Sequence, residues 1–88
     1  MRRKSYVYIV RRIICQSREY VFEDVAYCTD ENYAKNKVIV DLKREYLEEH
    51  PYMKYDPVQD LIYGVHPIHG YYTVKWDIVI KTLINEHL

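Results

Sequence analysis

Only two glycines, three prolines and two serines occur in the 88 residues, and each shortage excludes a class of chemistry. Gly64 and Gly70 stand apart and cannot build the glycine-rich loop that cradles a phosphate. Ser5 falls at a strand end and Ser17 in a turn, with no motif around either. A serine nucleophile needs a positioned base and an orienting third group, so neither serine points to hydrolysis. No apolar run approaches the ~20 residues that span a bilayer. The opening "MRRKSYVYIVRRIICQS" is broken by Arg11-Arg12 and carries no small-residue cleavage site, which argues against a signal peptide. The expectation is therefore a cytoplasmic protein, with no membrane contact and with Cys15 and Cys28 reduced. Net charge is absent too, which withholds the counterion release that usually drives nucleic-acid binding. No linker, repeat or low-complexity segment divides the chain.

Tyrosine is what the chain does have: eleven, against one Phe and one Trp. A chain of this length forms one domain and hides little more than ~60% of its extended surface. Eleven hydroxyls exceed what so small a core can satisfy, so some face water or a partner. Tyrosine is enriched both in partner surfaces and in β-sheets, and composition leaves both readings open. Charge is lopsided. Residues 1–18 hold Arg2, Arg3, Lys4, Arg11, Arg12 and Arg18 without an acid, whereas residues 19–60 hold eleven acids against five bases.

Residues 5–15 and 20–28 read as a hairpin around Gln16-Ser17-Arg18-Glu19. A centred register pairs residues whose numbers sum to 35, setting Arg11 opposite Asp24 and Arg12 opposite Glu23. It also gathers Val7, Ile9, Ile13 and Cys15 with Tyr20, Phe22, Ala26 and Cys28 on one apolar face. The cysteines then stand at opposite ends of the hairpin, roughly 25 Å apart at ~3.3 Å per residue, which excludes a disulfide or a shared metal.

"TDENYAKNKVIVDLKREYLEEHP" reads as a helix, capped by Thr29 or Asp30 and ended by Pro51. Ala34, Val38, Ile39, Leu42 and Tyr46 form the stripe that covers the sheet. Tyr33, Val40 and Leu47 form a second stripe, either a partner surface or ordinary exposed hydrophobes. "YDPVQDLIYG" admits a short helix with Asp56, Pro57 and Gly64 as its punctuation, or a loop into a strand over 61–65. From Tyr72 the even positions run Tyr, Val, Trp, Ile, Ile and the odd ones stay mostly polar, a strand with one buried face. The expected class is α+β: a small antiparallel sheet in the order β-β-α-β, with an extra short strand or helix before the last strand, and one long helix on one face.

His66-Pro67-Ile68-His69-Gly70 has the Pro and Gly of a tight reversal, which would bring two imidazoles together. Zinc wants three or four ligands, and only His50 and His87 remain once the cysteines are placed apart, so the expectation is a turn feeding a strand and no metal. Asp41, Glu45, Glu48 and Glu49 read as a solvated acidic face where nothing perturbs a carboxylate, which removes acid–base catalysis and with it the expectation of an enzyme. Nucleic-acid binding is the alternative. "RRKSYVYIVRR" sets Tyr6 and Tyr8 on the face of Val10 and Arg12, with Arg2, Arg3 and Lys4 unpaired at its start, an arrangement that can stack bases and hold phosphates.

The layout "YVYIV … VAYCTDENYAKNKV … YYTVKWDIVIKTL" resembles small phage- and prophage-encoded accessory proteins of ββαβ plan, including anti-defence proteins of the anti-CRISPR kind. The resemblance implies an inhibitor that binds and disables a host protein in the host cytosol, often as a homodimer, without a cofactor. The resemblance carries no residue-level role; the candidate contacts come from the chain itself, the second helix stripe of Tyr33, Val40 and Leu47 and the loop tyrosines Tyr52, Tyr55 and Tyr63. Glu45, Glu48 and Glu49 would imitate nucleic acid toward a basic groove. Self-association is expected through a sheet edge or the second helix stripe.

Overall fold

In the computed structural model, which describes residues 3–85, a five-stranded antiparallel sheet carries one 19-residue helix on one face. The strands are β1 (Arg3–Gln16), β2 (Glu19–Cys28), β3 (Lys54–Asp56), β4 (Leu61–His66) and β5 (Gly70–Asn85), in the sheet order β2-β1-β5-β4-β3. The α+β class is as the sequence implies. The strand plan differs: the segment after the helix supplies two strands, β3 and β4, where the expected order had one short element. Asp56 does cap, accepting from the backbone N–H of Val58 and Gln59, but it caps a turn between β3 and β4 and no helix begins there.

β1 and β5 pair along their whole lengths and form the spine. The β1–β2 hairpin keeps the predicted register from Arg11↔Asp24 to Gln16↔Glu19. Its two-residue turn has Ser17 and Arg18 both at positive φ, 50° and 68°, the mirror-image turn that matches strand twist. Beyond Arg11 the register shifts by one, so Val10 faces Ala26 and Val25 is the extra residue of a bulge. The bulge carries Ala26 and Cys28 to the opposite face from Phe22, which corrects the single apolar face expected for this hairpin.

That opposite face is where the helix packs. Asp30 accepts from the Tyr33 N–H at 3.0 Å and opens the helix, which runs Glu31–Tyr33, a π segment Ala34–Val38, then Ile39–Glu49. The expected inner stripe holds: Ala34, Ile39 and Tyr46 are buried, and Val38 and Leu42 pack beside them. Beneath lie Val10, Ile62, Tyr72, Val74 and Trp76, with Met53 from the loop after the helix. Ile9 and Ile13 are buried on the far side of the sheet, because β1 is a central strand flanked on both sides. Cys15 and Cys28 are free and half-buried. No helix among the described residues is long and apolar enough to cross a membrane.

The molecule is drawn out, 55 × 25 × 22 Å, with a radius of gyration of 15.9 Å. Chain length alone gives about 12 Å. The excess comes from the spine: β2 pairs with β1 only from Tyr8, and β4 pairs with β5 only as far as Val74. The far end of the β1–β5 ribbon therefore projects beyond both neighbours.

Candidate interaction surfaces

The most elaborate polar cluster lies where the helix ends over β4 and β5. His50 closes the helix, its N–H donating to the Tyr46 carbonyl at 3.0 Å while its ring stacks on Tyr46 at 4.0 Å. The Tyr46 ring meets Trp76 edge-on at 5.7 Å. The Tyr72 hydroxyl stands between two others, 3.3 Å from Tyr46 and 3.0 Å from Tyr52. Hydrogen bonding to Tyr72, then loss of water, pushes the Tyr52 phenol up to about 12. Burial raises Tyr46 and Tyr72 as well. A tyrosine that serves as base or nucleophile needs its pKa lowered, and these three are held protonated. The cluster locks the loop after the helix onto the sheet.

His66 and His69 sit at the ends of the turn, their rings 4.5 Å apart. His66 Nδ1 accepts from the backbone N–H of Ile68 at 3.0 Å and of His69 at 3.2 Å, so one ring nitrogen is committed to holding the turn. The His69 carbonyl accepts from Gln16 Nε2 at 2.9 Å. Among the described residues no three His, Cys, Asp or Glu side chains gather as metal ligands. His87 lies outside the described residues.

The second helix stripe divides. Val40 is 48% exposed and lines an apolar groove of about 320 Å³ with Leu47, Tyr55, Lys43 and Arg44. Leu47 is half-buried and packs against the core, and so anchors the groove floor. Tyr33 is exposed but lines a separate hollow with Tyr27 and Cys28 near the helix start. Tyr52 and Tyr63 meet across a third hollow with Val65 and Tyr71 on the β4–β5 side. The structure thus joins Val40, Leu47 and Tyr55 in one place and Tyr52 with Tyr63 in another.

The wall of the first groove has no signal in the sequence. Asp60 accepts from Lys43 Nζ at 2.5 Å and from the Tyr55 hydroxyl at 2.6 Å, and Lys43 lies over the Tyr55 ring at 5.4 Å. Lys43 first, then Tyr55, pulls the Asp60 carboxyl below its ordinary value, and donation to Asp60 raises Tyr55. Lys43 and Asp60 are seventeen apart in sequence, with no short motif to link them. Asp41 departs from the expected unperturbed acidic face: a hydrogen bond from Lys37 lowers its pKa, and Arg44 also pairs with it. Glu45, Glu48 and Glu49 are all exposed on the helix surface, and none of them is in such a pair among the described residues.

The basic first strand is largely engaged. Arg11 bonds Asp24 at 3.1 Å and Arg12 bonds Glu23, as the register implied. Tyr8 packs against the core under the helix with Val10, while Tyr6, farther along the projecting ribbon, is exposed. Arg3 and Lys4 fall in β1 opposite Asn85 and Ile84, and Arg2 lies outside the described residues. Compared with known proteins, the chain matches no family model, no curated protein and no solved structure.

Proposed function

We propose that this chain is a non-enzymatic module that binds another protein and occupies a site on it. The apolar groove of Val40, Leu47 and Tyr55 carries the reading. Its floor is fixed by core packing and its wall by the Asp60–Lys43–Tyr55 bonds, so the surface is preorganised and loses little entropy on binding. Lys43 and Arg44 in the groove are offset by Asp60 and Asp41, exposed Glu48 lies one turn from Arg44, and Glu45 and Glu49 lie farther round the helix, which favours a basic surface around the partner's apolar anchor. Layout resemblance to phage accessory proteins supports a host protein, of the defence kind, as the target. The action is steric and needs no cofactor.

Nuclease-treated bacterial lysate passed over tagged protein tests this. One stoichiometric protein partner should remain on the wild type, be lost from Val40→Asp, and weaken when Glu45, Glu48 and Glu49 are all changed to Lys. Loss of every partner after nuclease would replace the proposal with nucleic-acid binding by the first strand. A partner held equally by Val40→Asp would remove the groove from it.

A further inference from the structure

β5 extends well past β4. β4 pairs only with Gly70 to Val74 and begins one residue beyond, at Leu61, so on that side the backbone from Trp76 onward has no strand beside it among the described residues. The sequence there, "KWDIVIKTL", is rich in strand formers, and Ile80 is 54% exposed. A long, apolar, unpaired edge is a template for another strand. Beside it, on the helix side, runs a groove of about 410 Å³ whose apolar lining is Ile39, Trp76, Ile78 and Ile80. A strand added to the edge would drop alternate side chains into that groove.

We infer that the occupant is a second copy of this chain, pairing β5 to β5 antiparallel about a two-fold axis at Val79. Two tests on the sequence select this register. Successive residues of a strand point their N–H and C=O groups alternately to either side, so a symmetric pair closes its bonds only when paired residue numbers sum to an even value. Among the even registers, a sum of 156 sets Lys75 against Lys81, and 162 sets Lys81 against itself. A sum of 160 leaves Asp77 facing Leu83 and Lys81 facing Val79. A sum of 158 sets Asp77 of each copy against Lys81 of the other, giving two opposite-charge pairs. On the helix side the same register lays Ile78 against Ile80 twice and Trp76 against Thr82. Ile80 of the second copy thereby covers the exposed groove.

The fit is also limited in length, which gives it a definite end. Val74 is already paired with Ile62, so the new ladder runs over about seven residues and forms about six to eight backbone hydrogen bonds. β5 runs on beside β1 to Asn85, and this register sets Ile84 against Val74, so the last residues of each β1–β5 ribbon must bend out of the sheet to clear β4 of its mate. The result is one ten-stranded sheet with both helices on the same face, since the axis stands perpendicular to the sheet. The outer edges suit this role poorly: β3 is only three residues long, and β2 is acidic and interrupted. β2 carries Glu19, Glu23 and Asp24 with no Lys or Arg in the strand, and the Val25 bulge interrupts it. The dimer does not depend on the proposed partner groove.

Sedimentation of the wild-type protein from about 10 µM to about 1 mM should show a reversible dimer. Lys81→Asp sets acid against Asp77 in both pairs and leaves only Val7 opposite on β1. It should raise the dimer dissociation constant about tenfold. Adding Asp77→Lys restores both pairs in reversed sense and should restore the dimer. Ile80→Arg, at an exposed position, should give a folded monomer by circular dichroism. In the wild type, backbone amides between 76 and 82 should gain exchange protection as concentration rises. A wild type that stays monomeric at the highest concentration overturns the inference. So does a dimer indifferent to Lys81→Asp, or a folded double variant that stays as weak as the single one.

Discussion

Replacing Gly64 with alanine probes the joint between the helix-end loop and the sheet. Gly64 lies in β4 opposite Tyr72, and its need is for space. A Cβ there would overlap the Met53 sulfur outright and come within 3.1 Å of the Tyr52 carbonyl oxygen and 3.2 Å of Met53 Cα. Met53 is buried, so its side chain has little room to swing away. Two effects compete. Alanine in a strand interior gains roughly 0.5–1 kcal/mol over glycine by restricting the unfolded chain. Forcing a methyl into a packed site costs about 1–3 kcal/mol. The overlap involves two backbone atoms as well as the sulfur, so the cost wins and the net loss should be about 1–2 kcal/mol. With unfolding entropy of about 2.1 cal/mol/K per residue, that lowers Tm by roughly 5–10 °C. Urea unfolding should show a lower midpoint with an unchanged slope. Met53→Ala alone should cost about 2–5 kcal/mol by leaving a cavity, and the double variant should lose less than the sum by about 1 kcal/mol. The reasoning fails if Gly64→Ala matches or exceeds the wild type in stability.

Gly70 makes the opposite case, with φ at +79° and nothing within 4 Å of the place a methyl group would take, so Gly70→Ala should cost about 1 kcal/mol from backbone strain alone and show no coupling to Met53→Ala in thermal melts. Ser17-Arg18 holds two non-glycine residues at positive φ, and substitution by Asn-Gly should stabilise the hairpin by about 1–2 kcal/mol in urea titration; no gain would mean the turn is not strained. Tyr52 is raised from 10 to about 12, so its contribution is complete below pH 10 and is lost as pH climbs toward 12. Thermal melts should fall across that window in step with tyrosinate absorbance, and Tyr52→Phe should flatten the fall.

Legibility followed the range of the interactions. The β1–β2 register could be read because Arg11-Arg12 and Glu23-Asp24 are adjacent charge pairs that agree on one alignment. The helix and its inner stripe could be read from periodicity and from Asp30 as cap. The Val25 bulge could not, since "EDVAY" carries no glycine or other mark of an extra residue. Which face the helix covers was equally hidden, because β1 is apolar on both sides, with Val10 beneath the helix and Ile9 and Ile13 opposite. Asp56 and Pro57 offer helix-start chemistry that a turn uses just as well. At the surfaces, tyrosine count and helix stripe pointed to Val40, Leu47 and Tyr55. The Asp60–Lys43 bond that shapes their groove needed the fold to bring β3–β4 against the helix.

Lys43 ties the two surfaces together. Its side chain helps line the groove of Val40, Leu47 and Tyr55 and also the groove beside the β5 edge, with Asp60 as its anchor. The two grooves are thus opposite sides of one wall, and both lie on the helix face of the sheet. A dimer through β5 would fill one and leave the other open on each copy, presenting two equal binding grooves on a single face. Against a target that itself repeats, the second contact is then made within the complex, and affinity rises without any new residue touching the target. Lys81→Asp separates the terms, because it weakens the dimer and leaves the Val40 groove intact. Affinity for an immobilised single target should hold, and retention on a densely repeated one should drop. Equal loss on both would mean that the partner groove is not complete within one copy.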